Sequence, residues 1–165
     1  MTVRMTQQLT ITPTSTADAM ATTLLPSLKG LLSIDFNQHD TRLTACLTAA
    51  INRVSSWTGA TLIPSTAVLV VSTPIAWRIP VVPFVAVTGA ELDGVTLTDL
   101  APYAGGYIPD MPVGSELKLT VTTGYTTLPG DLAEAICLLA GSLFDNIPRE
   151  WKTLARAYRT VTWAS

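Results

Sequence analysis

Residues 40–59 read DTRLTACLTAAINRVSSWTG, and their spacing decides the helical part of the fold. Leu43, Cys46, Leu47, Ala50, Ile51, Val54 and Trp57 recur at intervals of three and four, which lines one stripe of an α-helix. Arg42, Thr44, Thr48, Asn52 and Ser55 fall on the opposite face. Asp40 is placed to cap the free amides of the first turn, and Gly59 to take the left-handed conformation that closes a helix. A helix over 40–58 with one buried face follows.

Working outward, residues 24–33 read as a shorter helix ending in a turn, so that two helices form a hairpin. Pro26 fits its first turn, although Gly30 inside it costs about 1 kcal/mol relative to alanine. A third helix is expected over 131–145, where Asp131 and Glu134 have the spacing of a capping box. Its stripe is Leu132, Ala135, Ile136, Leu139, Ala140 and Leu143, so Leu47, Ile51, Leu139 and Leu143 are expected to be buried together.

Between these helices the period changes from 3.6 to 2. Residues 61–123 form a β region: 66–72, 76–79 and 81–92 are rich in Val, Ile and Thr and punctuated by proline, and 116–122 alternates Leu117, Leu119 and Val121 with Lys118, Thr120 and Thr122. Asp93-Gly94 is a hairpin signal, because a type I′ turn needs positive φ at both central residues. The stretch 101–112, with Gly105-Gly106 and its prolines, reads as a long loop.

The two ends differ in character. Residues 1–23 contain eight threonines and almost no charge, which predicts an extended or flexible arm. Within it, QQLTITPT at 7–14 alternates and can pair as a strand where a sheet edge is offered. Pro148 opens a last helix through Ala157, amphipathic through Trp151, Leu154 and Tyr158, followed by a tail with Trp163. Arg149, Lys152, Arg156 and Arg159 against Glu150 give 149–165 a net +3, in a chain of net −2.

At 165 residues the chain is expected to be one domain, a body over 24–147 flanked by the arm and by a C-terminal segment over 148–165. Charged residues are 13%, about half the usual share, which favours a surface partly covered by neighbours. There is no apolar run of membrane-spanning length and no signal-peptide pattern, so we expect a chain that is cytoplasmic when made. Cys46 and Cys137 lie in apolar helices and read as small buried hydrophobes, a disulfide or a reactive thiol being the alternatives.

Catalytic chemistry is hard to assemble. His39 is the single histidine and lies in a polar loop, so neither a histidine metal site nor a nucleophilic triad can be built without it. Asp35 with Asp40 and Glu91 with Asp93 are better explained as caps and turns than as acid–base pairs. Gly105-Gly106 lacks the Lys-Ser/Thr of a phosphate loop. No catalytic residue, cofactor or metal is therefore expected. Between Ala90 and Glu134 seven acidic residues face one lysine. Lining a channel, Glu91, Asp93, Asp99, Asp110 and Glu116 would repel DNA and let it slide.

Several stretches resemble the head-tail connector (adaptor) proteins of tailed bacteriophages. Lys29, Leu32, Ile34-Asp35, Asp40 and Leu43, then the Ala-Ala-Ile helix to Trp57-Thr58-Gly59, look like that family's opening. Thr122-Thr123-Gly124-Tyr125, Leu128-Pro129, Leu132, Ala135-Ile136 and Leu138-Leu139 resemble its strand, turn and C-terminal helix, and Leu154 to Arg159 its closing segment. The resemblance implies an α+β virion protein: an N-terminal helical hairpin, a central antiparallel β region, and C-terminal helices packed on the first pair. It implies a ring, typically dodecameric, beneath the portal protein, extending the channel for viral DNA and docking a stopper or tail-completion protein. The C-terminal segment would engage the portal through Arg149, Trp151, Lys152, Arg156, Tyr158, Arg159 and Trp163. The alternatives are a tail-terminator or stopper of the neck, or a small hydrolase using the 101–112 loop.

Overall fold

Residues 6–72 and 77–160 are described by a computed structural model. The architecture is α+β, comprising an antiparallel sheet and a set of helices that pack on one another. Contacts divide it into two units: the chain up to Thr14 with Pro64–Gly124, and Ser15–Ile63 with the chain from Tyr125 onward.

The first unit is built on alternation. β2 (Ser65–Ser72) and β7 (Glu116–Thr123) pair antiparallel, bringing Ala67, Leu69 and Val71 opposite Val121, Leu119 and Leu117 on one buried face. β1 (Thr6–Pro13) pairs along the outer side of β2, and β4 (Phe84–Leu92) along β7, with β5 (Val95–Thr96) beyond β4. The sheet order is β1-β2-β7-β4-β5. The expected arm thus includes a strand, because β2 offers the edge its alternation needs. The Asp93-Gly94 turn forms as expected, with φ of 51° and 80°. Asp93 also accepts the Glu116 N–H at 2.8 Å, tying the turn to β7.

The 101–112 segment is more ordered than its glycines and prolines suggest. A 3₁₀ turn over Ala101–Tyr103 buries Tyr103, and β6 (Tyr107–Ile108) pairs with β3 (Trp77–Arg78) and buries Ile108. Both side chains complete the core under the sheet, with Ile79 and Val81. Gly106, at φ 75°, brings the backbone so close to the Phe84 ring that a Cβ would lie 3.2 Å from it. Part of the expected strand 76–79 lies outside the described residues.

The second unit holds α1 (Ala17–Leu32), α2 (Asp40–Thr58) and α3 (Gly130–Asp145), with a short α4 (Lys152–Ala155). α1 begins seven residues before the expected 24, so the expected boundary at residue 23 falls inside it. Thr16 caps it, its hydroxyl accepting the Ala19 N–H at 3.1 Å, and Ala21 is buried with Leu24 and Leu28. Pro26 is therefore internal, where it removes one helical hydrogen bond, rather than in the first turn. The threonines of 22 and 23 satisfy their own hydroxyls on Asp18 and Ala19 carbonyls and do not break the helix.

Two expected caps differ. The residue before α2 is His39, and Asp40 stands in the first turn with no capping bond; its carboxylate takes Lys29 Nζ at 2.9 Å instead. Lys29 also reaches Asn37 at 2.7 Å, so one ammonium closes the α1–α2 turn. α3 starts from Pro129, whose carbonyl accepts the Ala133 N–H at 3.0 Å, and no Asp131–Glu134 box forms. The far end of α2 closes as expected on Gly59 at φ 70°, with its N–H on Ser55.

Leu47 and Ile51 are fully buried and Leu139 nearly so, but Leu143 is 36% exposed. The last turn of α3 lies beside the first turn of α2, where Arg42 rather than an apolar side chain meets it, donating to the Phe144 carbonyl at 2.9 Å. At the end of α3, Asp145 accepts two hydrogen bonds from Arg149, one at 2.8 Å, and the Ile147 N–H at 2.9 Å. The hydrogen bond from Arg149 first of all holds the Asp145 carboxyl down to about 2. A depressed carboxyl stabilises the fold fully above its unfolded value, near 4, and the contribution disappears as pH falls toward 2. Asp145→Asn should therefore flatten the loss of stability between pH 4 and pH 2, read from denaturant midpoints across that interval.

Candidate functional site

The segment predicted to dock a partner divides into residues that serve this chain's own core and residues that face out. Trp151 is 8% exposed and packs edge to face on Trp57, with ring centroids 5.3 Å apart. Arg149 is held by Asp145 and by the Ser142 hydroxyl, which accepts its backbone N–H at 2.9 Å. Both residues thus have partners within the same unit. Tyr158 is half-buried, in a 3₁₀ turn (Arg156–Tyr158) that follows α4 in place of the longer helix expected to run through Ala157.

Lys152, Arg156 and Arg159 are exposed. Lys152 Nζ lies 5.9 Å from the Trp151 ring, and the Arg159 guanidinium 5.2 Å from the Trp57 ring. Arg53 is exposed one helical turn before Trp57. The result is a basic surface laid over an aromatic pair. The chain is then pinned at Thr160, whose N–H and hydroxyl both donate to the Thr58 carbonyl, at 2.7 and 3.0 Å. Trp163 lies outside the described residues.

The five acidic candidates all belong to the first unit, and most have local work. Glu91 pairs with Lys118 at 3.1 Å, Asp93 caps the Glu116 N–H, and Asp99 accepts the Ala101 N–H at 3.0 Å. Asp110 and Glu116 are exposed. Glu91, Asp93 and Glu116 meet at one end of the sheet, because the β4–β5 turn closes on the start of β7; Asp99 and Asp110 flank the segment carrying Tyr103 and Ile108.

His39, in the loop before α2, is half-buried, its ring set between those of Phe36 and Phe144 at 5.5 and 5.7 Å. The sequence concealed this, since Phe144 is remote in the chain. Cys137 is buried and burial pushes its thiol up to about 11, which leaves it protonated and unreactive at neutral pH. Cys46 is only half-buried, and burial raises its thiol in the same direction. Among the described residues no three metal-ligating side chains converge, and no helix is long and apolar enough to cross a membrane.

No protein-family profile and no curated protein matches this chain. Solved structures do share its fold. A chain in the virion of a native gene transfer agent particle superposes with a TM-score of 0.67 at 22% identity, over 93% of this chain and 97% of that one. A chain in the neck of an empty particle of this kind, computed with C6 symmetry, gives 0.63 at 21%, over 94% and 97%. A chain in the neck of a native particle computed with C12 symmetry gives 0.60 at 20%, again over 94% and 97%.

Proposed function

We propose that this chain is a structural component of a phage-like virion neck: a head-tail connector that forms a ring beneath the portal, extends the DNA channel and docks the next neck or tail component. The observation that carries this reading is the sharing of nearly the whole fold, over 93–94% of the chain, with chains of gene transfer agent virions and necks. The sequence resemblance to adaptor proteins points the same way. The symmetry of the necks in which those chains sit favours a ring, proposed as dodecameric. A stopper or terminator is the weaker reading, since those proteins tend to be more purely β and this chain has a unit of three long helices. Its role is mechanical, with no cofactor or metal.

In this reading the portal is met by Lys152, Arg156, Arg159 and the tail with Trp163, which can pair with acidic groups and fill an apolar pocket. Glu91, Asp93, Asp99, Asp110 and Glu116 are the carboxylates proposed to face passing DNA, Glu91 with Lys118 beside it. Reversing the charge of all three basic residues, with truncation after Thr160 as a separate variant, tests the docking face. Thr160 must be kept because it holds the end of α2. Both variants should fold normally and lose attachment to portal-containing heads by about tenfold or more, each 1.4 kcal/mol of lost contact being tenfold. Attachment at the native level in both would overturn the assignment of this face.

A further inference from the structure

Among the described residues no strand pairs outside β1 or outside most of β4 in the five-stranded sheet of the first unit. β1 is the outermost strand on one side; its eight residues, TQQLTITP, include no charge, and Ile11 is 42% exposed. Soluble proteins ordinarily blunt such an edge with lysine, with a bulge or by covering it, because unpaired backbone groups template the addition of another strand. On the other side β5 covers only Glu91 and Leu92. The rest of β4, from Phe84 to Gly89, has no strand beyond it among the described residues.

This second edge opens into an apolar groove of about 380 Å³, lined by Val85, Ala86, Val87, Leu100, Ala101 and Ala104. Register irregularities of β4 against β7 twist the edge, which is one way of blunting it, yet Val85 remains 58% exposed. None of the unit's acidic residues lies within 6–13 or 84–89, although Asp99 accepts the Ala101 N–H at the groove wall and Glu116 lines a hollow with Gln7 and Gln8 of β1. The open part of β4 spans roughly 20 Å at about 3.3 Å per residue, and the eight residues of β1 are long enough to cover it.

We propose that β1 of one copy adds to the open edge of β4 in the next copy, with Ile11 entering the groove beside Val85 and Leu100. The two edges are different surfaces on opposite sides of one sheet, so the contact is head-to-tail, the kind that propagates around a ring until it closes. This rests on the ring reading above. Hydrogen exchange read by mass spectrometry on the full chain, before and after it assembles on portal-containing heads, tests it. Amides of 6–13 and 84–89 should slow at least tenfold on assembly. A ring that forms with exchange unchanged in both stretches overturns the strand addition and leaves the ring reading standing; failure to form any ring overturns both. Ile11→Lys and Val85→Lys alter exposed positions, so each should keep the native melting transition and cut ring assembly at least tenfold. Native-level assembly by both variants would also overturn the proposal.

Discussion

Trp151→Ala is expected to cost about 3–5 kcal/mol of folding stability in the isolated protein, the usual range for removing a buried tryptophan. The side chain is 8% exposed and meets Trp57 edge to face, and α4 with its following turn carries the chain on to the Thr160–Thr58 contact. Its loss should therefore loosen the end of α2 as well as its own pocket. Trp57→Ala should destabilise in the same sense, and the double variant by less than the sum, because the two substitutions remove one shared contact. Denaturant unfolding of the purified chain measures all three. If Trp151 were instead an anchor for a partner, the isolated variant would unfold at the native midpoint and only attachment to heads would fall.

The second large effect is Leu47→Ala, for which a cost of about 2–5 kcal/mol is expected. Leu47 is fully buried, as are its helical neighbours Leu43, Ile51 and Val54. Leu143→Ala should cost well under half as much, although the same periodicity put both residues in one core. At 36% exposure much of its side chain stays in solvent, so less contact is lost on truncation. Equal destabilisation by the two would mean that α3 packs along its whole stripe. Amides of 43–57 should exchange slowly in the native protein and speed up in Leu47→Ala.

The contrast between these residues indicates which parts of the structure were legible in the sequence. α2 was legible because its stripe is continuous and Gly59 marks its end with a conformation few other residues accept. Asp93-Gly94 was legible for the same local reason. Features decided by distant partners were not. Asp40 fits a cap, but Lys29 claims its carboxylate; Trp151 fits an exposed anchor, but Trp57 covers it. Tyr103 and Ile108 were hidden among glycines and prolines that bend the chain so that both can reach the core. The threonines before residue 24 suggested an arm, whereas Thr16 caps a helix and β2 supplies an edge for β1. The basic surface of Lys152, Arg156 and Arg159 was visible as composition, but its separation from Arg149 depended on Asp145.

The most direct test of the neck-connector reading is electron cryo-microscopy of portal-containing heads incubated with the full-length chain. The account predicts a closed ring of this protein coaxial with the portal, with twelve copies and its C-terminal basic face against the portal. Heads without added density at the portal vertex, or single copies bound elsewhere on the particle, would contradict it.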